Sequence, residues 1–184
     1  MRNTQSPTKP PRRQDDGRTV VMTATPNPHK VRVIQHNCNR STTAMHSCLN
    51  SAENTADIVI IQEPWIGTNE SPCPFYTLSH PSFTLLLHQP EHCPRTATYI
   101  TKTNPHIHVS LRTDLCNDED IQILAVSTPS IATLYLFNIY NEKPRYDQTL
   151  PYTLDRTLKN IDIPERSILA GEFNAHHPWW NSST

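Results

Sequence analysis

The chain has few glycines and contains no long apolar run. Only 3 of its 184 residues are Gly, whereas 17 are Pro and 35% are hydrophobic. No stretch approaches the roughly 18 consecutive apolar residues of a membrane-spanning helix, and the polar N-terminal segment lacks the apolar core of a signal peptide. The aliphatic and aromatic side chains that are present suffice for one hydrophobic core. We therefore expect one domain of an intracellular protein, without a membrane partner.

The cysteines do not form a recognisable pattern. They are five in number, and no two are spaced as in a CxxC motif: Cys38, Cys48, Cys73, Cys93 and Cys116. This spacing predicts neither a zinc site nor a complete disulfide framework. A reducing compartment is the expectation that follows.

Charge is unevenly distributed along the chain. Residues 1–30 carry six Lys or Arg and two acids, a formal charge of +4, whereas residues 31–184 carry ten against fifteen, a charge of −5. The first 30 residues are rich in Pro, Arg, Thr and Ser without hydrophobic periodicity, so we expect a disordered leader. Such a basic leader is compatible with nucleic-acid contact and equally with a solvated tail that binds nothing.

Hydrophobic patterns predict a mixed α/β domain over residues 31–184. The β-branched run VRVIQHN predicts a first strand, and the apolar run DIVIIQEPW predicts a second one buried on both faces. Between them, Ser41 is placed to cap a helix whose apolar residues recur every three or four positions. Further strands are predicted over 83–88, 96–101, 106–111, 121–127, 132–140 and 166–174, with a second helix over 146–160. This order favours two packed sheets with helices outside them.

Polar side chains follow four of the predicted strands. They are His36, Asn37, Cys38 and Asn39 after the first strand, Gln62 and Glu63 after the second, Tyr140 and Asn141 after the fifth strand of the middle region, and residues 171–177 after the last. If the four strands lie side by side, these groups converge on one edge of the domain. Carboxylates, amides and imidazoles suit a hard divalent cation that holds a phosphate, because Mg²⁺ prefers oxygen ligands and retains several waters.

Three segments resemble a known family. IQEPW at 61–65, LFNIYN at 136–141 and GEFNAHHPWW at 171–180 are similar to signature segments of exonuclease–endonuclease–phosphatase domains, in particular the endonucleases of non-LTR (LINE-type) retrotransposons. Together with the first polar segment they occur in family order, and the resemblance spans residues 31–184. It implies a four-layer α/β sandwich like that of deoxyribonuclease I, Mg²⁺ or Mn²⁺ as cofactor, and hydrolysis of phosphodiester bonds in DNA. It also implies a nuclear protein that acts beside the reverse transcriptase portion of a longer polyprotein.

The resemblance implies a role for each residue that matches the family. Glu63 matches the metal-binding Glu, and Asn37 matches an Asn that orients phosphate or a catalytic side chain. Tyr140 matches a Tyr that hydrogen-bonds a phosphate oxygen or positions the nucleophile, and Asn141 would be a neighbouring substrate contact. Asn39 stands where many relatives have an Asp near the metal, so it would offer an oxygen ligand without the charge.

The last segment departs from the family pattern. Relatives read Gly-Asp-x-Asn, in which the Asp activates water or binds metal and the Asn stabilises the transition state; here Asn174 matches, and Glu172 replaces the Asp. The extra methylene moves the carboxylate by roughly 1.5 Å, and a misplacement of about that size can cost ~10²-fold in rate. His176 and His177 are candidate substrate contacts. The family's terminal Ser-Asp-His segment has no counterpart before Thr184, so we expect an incomplete domain.

The same residues also have structural interpretations. A Glu that ends a buried strand can simply be solvated, Asn favours turns and helix caps, and a Tyr that ends an apolar strand can belong to the core. Arg95 and His92 lie on a predicted loop, from which they could reach a phosphate. Three alternatives for the whole chain remain open: a non-catalytic remnant of a mobile-element endonuclease, a phosphatase of the same superfamily, and a binding module that uses the basic leader.

Overall fold

The computed structural model describes residues 30–70, 74–142 and 153–174. The strands within them are β1 (Val33–Asn37), β2 (Ile58–Gln62), β3 (Gly67–Thr68), β4 (Phe75–Tyr76), β5 (Phe83–Leu86), β6 (Thr96–Thr101), β7 (His108–Leu111), β8 (Ile121–Thr128), β9 (Ile131–Tyr140) and β10 (Ser167–Glu172). The helices are α1 (Thr42–Ala52) and α2 (Thr153–Arg156), and a 3₁₀ turn follows at Leu158–Asn160. Among these described residues, no helix is long and apolar enough to cross a membrane. The predicted leader lies outside them, apart from its last residue.

Helix α1 confirms the helix predicted after the first strand. Ser41 is its N-cap, and its Oγ accepts the backbone N–H of Ala44 at 3.2 Å, as a capping side chain should. Met45, Leu49 and Ala52 are buried along one side of the helix. They share an apolar cluster with β2 and β6, so α1 covers one face of the sheet that contains these strands.

The longer strands form two four-stranded sheets, and β3 pairs separately with β4. The first sheet has the order β1-β2-β6-β5, and the second has the order β10-β9-β8-β7. β1 runs parallel to β2 and β9 runs parallel to β10, whereas all other neighbours in the two sheets are antiparallel. The described residues therefore form a mixed α/β structure with mixed sheets and few helices, which confirms the predicted class.

The two sheets pack against each other through alternate residues of their strands. Ile58 and Ile60 of β2 share a buried cluster with Leu124 of β8 and Leu136 of β9. The intervening residues of β2 lie under α1, and the far face of the second sheet packs against residues of α2 and the 3₁₀ turn. Each fully buried aliphatic side chain of this kind stabilises the fold by roughly 1.5–3 kcal/mol.

The second helix ends earlier than the sequence predicts. The sequence predicts a helix over 146–160; among the described residues of that range, Thr153–Arg156 is α-helical and a 3₁₀ turn follows at Leu158–Asn160, whereas residues 146–152 lie outside the described chain. Side-chain bonds to the loop before β8 hold the segment instead: Thr153 Oγ1 donates to Asp120 at 2.5 Å, and Thr157 Oγ1 donates to Asp118 at 2.7 Å. Contacts with the rest of the fold thus decide the conformation of this short segment.

Asp57 connects the start of β2 to the segment before β1. Its buried carboxylate accepts bonds from the backbone N–H of Arg32 at 2.8 Å, from the Arg32 guanidinium at 3.1 Å and from Asn104 at 3.1 Å. Burial raises the pKa of this carboxyl, but the bonds from Arg32 and Asn104 outweigh burial and hold the pKa below its ordinary value. The ionised form of Asp57 is therefore favoured by folding.

We expect this pair to make the fold less stable in acid. Below about pH 4, the ordinary pKa of an unfolded Asp, the unfolded chain binds a proton that folded Asp57 still resists, so the free energy of unfolding falls as the pH falls. Urea unfolding of the wild type and of Asp57→Asn at pH 5 and pH 3 measures the effect. The variant should be less stable at pH 5 and should lose less on acidification; an equal loss in both proteins would contradict the assignment.

Candidate active site

The predicted strand exits meet at one end of the molecule, although they come from two sheets. β1 and β2 end side by side in the first sheet, and β9 and β10 end side by side in the second, where Tyr140 is in register with Glu172. The expected row of four adjacent strands is therefore replaced by two parallel pairs that face each other. We refer to Asn37, Glu63, Tyr140 and Glu172 as the rim.

The layer between the sheets becomes polar just below the rim. Gln62 of β2 donates to Asn138 of β9 at 2.6 Å, and Asn138 donates to the backbone carbonyl of Ala97 at 3.0 Å. Thr98 donates to Gln122 at 2.7 Å. All these polar side chains are buried, and buried polar groups that are hydrogen-bonded rigidify their surroundings. This network was not predicted from the sequence, although polar residues at inward positions of apolar strands are a signal for it.

Glu63 is the first residue after β2, and its side chain is only 15% exposed. Its backbone is left-handed, with φ at 45°. The N–H of Glu63 donates to the Arg95 carbonyl at 2.9 Å, and its carbonyl accepts the N–H of Arg40 at 2.7 Å. Its carboxylate accepts a bond from the Asn37 amide at 3.2 Å and lies 3.7 Å from Arg40 Nε. The loops after β1 and before β6 thus hold this carboxylate at the rim.

Asn37 positions other groups through both ends of its amide. Its Oδ1 accepts the backbone N–H of Asn39 at 2.7 Å, while its Nδ2 donates to Glu63. Asn39 itself is exposed and left-handed, with φ at 45°. Asn37 thus orients the Glu63 carboxylate in the structure, and the catalytic role of Asn37 and the metal-ligand role of Asn39 stay predictions.

The hydroxyl of Tyr140 is acted on by both carboxylates of the rim. Burial raises the pKa of Tyr140 to about 12, and the charge of Glu63, a hydrogen bond with Glu63 and the charge of Glu172 act in the same direction. The Arg95 guanidinium carbon lies 5.5 Å from the centre of the Tyr140 ring. The hydroxyl therefore stays protonated at neutral pH and is a hydrogen-bond donor beside Glu63.

Asn141 and Asn174 hold together the segments that follow β9 and β10. Asn141 is buried; its backbone N–H donates to the Glu172 carbonyl at 2.8 Å, its Nδ2 donates to the Phe173 carbonyl at 2.5 Å, and its Oδ1 accepts the N–H of Leu154 at 3.2 Å. Asn174 donates to the Asn141 carbonyl at 2.9 Å. These bonds give both residues a structural role; the substrate contact predicted for Asn141 and the catalytic role predicted for Asn174 stay predictions.

Non-glycine residues with positive φ are concentrated around the rim in the described chain. Of the six non-glycine residues with positive φ among the described residues, four lie at the rim or beside it: Asn39, Arg40, Glu63 and Asn174. Asn39 and Asn174 belong to a residue type that adopts this conformation readily, whereas at Arg40 and Glu63 it costs about 1–3 kcal/mol. Backbone strain among the described residues is thus concentrated around Glu63.

The other predicted phosphate and substrate contacts are placed differently. The side chain of Arg95 is 17% exposed, and it forms ion pairs with Asp120 and Glu142. These carboxylates balance its positive charge. His92 is exposed and lines a cavity beside the rim. The sequence-predicted contacts His176 and His177 lie outside the described residues.

A second group of carboxylates lies in the loop before β8. Asp118, Glu119 and Asp120 bring carboxylate oxygens within 4.8 Å of one another, and such a group could hold a metal ion. Two arginines bind the same oxygens: Arg95 lies 2.8 Å from Asp120, and Arg156 lies 2.9 Å from Glu119 and 3.0 Å from Asp118. Because these cations already balance the acids, we assign the group to holding α2 against the second sheet.

The rim itself has donors that fit a hard cation. The charges of the Glu63 and Glu172 carboxylates both raise the pKa of the Tyr140 hydroxyl, and Glu172 is in register with Tyr140 on the neighbouring strand. Two negative charges at short range favour a divalent cation between or beside them, and carboxylate oxygens are the ligands that Mg²⁺ and Mn²⁺ prefer.

Comparison with known proteins adds nothing to this geometry. No protein-family model matches the chain, and no curated protein matches it. The function is therefore argued from the rim and from the segments that build it.

Proposed function

We propose that the protein hydrolyses phosphodiester bonds in DNA with the help of a divalent metal ion. The observation that carries the proposal is that Glu63, which Asn37 binds, and Glu172 both act on the Tyr140 hydroxyl, from four strand ends in two sheets. Each of the segments IQEPW, LFNIYN and GEFN supplies one of these side chains. A role in nicking nuclear DNA for an attached reverse transcriptase belongs to the same proposal.

We also propose that the fold is the four-layer sandwich of the deoxyribonuclease I type. Support comes from the order of the layers: α1 lies on the outer face of the first sheet, and the two sheets pack against each other. The α2 segment then lies on the outer face of the second sheet. In such a sandwich, loops at one end of both sheets can approach one phosphate.

Glu63 is the residue that would hold Mg²⁺ or Mn²⁺. When bound, the metal supplies positive charge that polarises the phosphate and makes a bound water more acidic. Asn37 keeps the Glu63 carboxylate oriented by its bond to Oε2. Arg40, whose side chain is 64% exposed beside Glu63, adds a positive charge where an anionic strand would approach.

The remaining steps use groups of the chain itself. The Tyr140 hydroxyl donates a hydrogen bond to a non-bridging phosphate oxygen, on which negative charge builds up in the transition state. The Glu172 carboxylate accepts a proton from the attacking water. The water oxygen then bonds to phosphorus while the bond from phosphorus to the leaving sugar oxygen breaks, and that oxygen takes up a proton from solvent.

The test is nicking of supercoiled plasmid by the full chain. We expect open-circular product with Mg²⁺, loss of nicking with EDTA, and recovery when excess Mg²⁺ is added back. Release of phosphate from a soluble inositol phosphate without plasmid nicking would favour the phosphatase alternative. A folded chain that does neither would leave the non-catalytic remnant, and the proposal would be wrong.

A further inference from the structure

The loops that hold Glu63 and Tyr140 meet at an ion pair between the two sheets. Arg95 is the last residue before β6 in the first sheet, and Asp120 is the last residue before β8 in the second. The Arg95 guanidinium donates to both oxygens of the Asp120 carboxylate, from Nη2 at 2.8 Å and from Nε. Bidentate pairs of this kind fix the orientation of both partners as well as their separation.

Both members of the pair also hold the backbone of a rim residue. The Arg95 carbonyl accepts the N–H of Glu63 at 2.9 Å, and the Asp120 carbonyl accepts the N–H of Tyr140 at 2.9 Å. The guanidinium carbon of Arg95 lies 5.5 Å from the centre of the Tyr140 ring, and the guanidinium also pairs with Glu142 in the segment after β9. The pair therefore joins Glu63 in one sheet to Tyr140 in the other.

We propose that Arg95 and Asp120 are positioning residues, which keep the Glu63 carboxylate and the Tyr140 hydroxyl at the spacing that one phosphate requires. The inference rests on the proposed function for the reaction that this spacing serves. Asp120 is almost fully buried, and Arg95 is surrounded by carboxylates. Both side chains would thus act through the two rim residues and would not touch the substrate.

The burial of Asp120 makes each member of the pair dependent on the other. Burial raises the pKa of Asp120 to about 6, although bonds from Thr153 and Arg95 act in the opposite direction. A buried carboxylate that loses its cation is left uncompensated, so removal of either partner removes the benefit of both. Substitutions at the two positions should therefore not be additive.

Other bonds keep the two loops together when this ion pair is removed. The backbone N–H of Arg95 donates to the Glu119 carbonyl at 2.7 Å. Arg156 still binds Glu119 at 2.9 Å and Asp118 at 3.0 Å. Loss of the pair should therefore loosen the rim while the chain stays folded.

The test compares Asp120→Asn with Asp118→Asn, a matched control in the same loop. Each substitution removes one negative charge from a carboxylate that binds Arg156 and a nearby threonine, whereas the bidentate bond to Arg95 belongs to Asp120. We expect the kcat of plasmid nicking to fall ~10- to 100-fold in Asp120→Asn with little change in KM, because a misplacement of about 1 Å costs up to ~10²-fold in rate. Asp118→Asn should stay within about twofold of the wild type.

A second measurement does not depend on cleavage. Hydrogen exchange of the Glu63 and Tyr140 amides, followed by NMR, reports their bonds to the Arg95 and Asp120 carbonyls. We expect both amides to exchange about tenfold faster or more in Asp120→Asn, relative to the amide of Ile60 at the centre of β2, which reports opening of the whole fold. Asp118→Asn should leave this ratio unchanged.

A double variant tests whether the two residues act as one unit. Arg95→Gln combined with Asp120→Asn should nick DNA about as slowly as either single variant, and full addition of the two losses would contradict the proposal. If Asp120→Asn does not fold, Arg95→Lys takes its place, since Lys keeps the charge but lacks the planar fork that binds both oxygens.

The two measurements also separate this proposal from the proposed hydrolysis. An unchanged kcat in folded Asp120→Asn, or equal amide exchange in Asp120→Asn and Asp118→Asn, would overturn the positioning role and leave the hydrolysis standing. Faster exchange confined to Asp120→Asn, in a chain whose wild type cleaves no DNA, would remove only the hydrolysis.

Discussion

Replacing Glu63 by Gln should lower the rate of plasmid nicking by about three orders of magnitude. Gln keeps the size of the side chain and can still accept the bond from the Asn37 amide, but it loses the charge that would hold the metal. Metal-assisted catalysis is worth several kcal/mol of transition-state stabilisation, and about 4 kcal/mol corresponds to ~10³-fold in rate. Initial rates of nicking for the wild type and the variant at saturating Mg²⁺ measure the effect.

Glu53→Gln is the matched control for this substitution. Glu53 is an exposed acid just after α1, where its carboxylate accepts the Ser82 hydroxyl, away from the rim. It loses the same charge, so a general effect of net charge on DNA binding would appear in both variants. We expect Glu53→Gln to remain within about twofold of the wild type, as is usual for surface changes. A Glu63→Gln chain with nearly full activity would show that the rim is not the site of hydrolysis.

Replacing Gly171 by Ala should destabilise the fold by on the order of 4 kcal/mol or more. Gly171 has φ at 145°, a conformation that other residues rarely adopt. A methyl group there would lie 1.9 Å from the Ile139 carbonyl oxygen, which belongs to the backbone of β9 and cannot rotate away. Either β10 moves from β9 or the variant carries the strain, and both reduce stability. Urea unfolding followed by circular dichroism measures the difference.

Gly67→Ala provides the comparison, because its added methyl group also meets a close neighbour. That neighbour is the Tyr76 ring at 2.3 Å, the side chain of an exposed residue that can turn aside. We expect a loss of about 1 kcal/mol or less in this variant. Equal stabilities of the two variants would mean that the close approach of β9 and β10 at Gly171 does not constrain the fold. A Gly171→Ala chain that cannot be recovered folded agrees with the expectation.

Much of the secondary structure was predictable because its signals are local. The strand predicted over 96–101 coincides with β6, and Ser41 caps α1 as its position next to periodic apolar residues predicts. β3 and β4 were not predicted, because two residues per strand are too few to show alternation. The leucine spacing predicts a helix that continues to residue 160, whereas the bonds that hold the segment from Thr153 to Thr157 involve Asp118 and Asp120, more than 30 positions away.

The candidate site was predictable only in part, for the same reason. A polar residue directly after an apolar strand is visible in the sequence, so Asn37, Glu63, Tyr140 and Glu172 were all identified. Whether such a residue faces solvent or is bound to its neighbours depends on how the strands are arranged. Asn141, for example, is buried, and its side chain forms hydrogen bonds with backbone atoms. The sequence also could not show the cavity beside the rim, because its walls come from segments about 30 residues apart.

The amide bonds between the sheets have a further consequence, which concerns how the two sheets are aligned. Apolar contacts are non-directional and tolerate sliding, whereas a hydrogen bond is made only over a narrow range of distance and angle. If the second sheet slipped by one residue, the bond of 2.6 Å between Gln62 and Asn138 would be lost, and each unpaired buried amide would cost about 1–3 kcal/mol. The bond therefore selects one alignment out of several that the aliphatic layer alone would allow. This alignment of the sheets also sets the distance between Glu63 and Tyr140. Gln62 and Asn138 therefore position the two residues without contacting a substrate themselves.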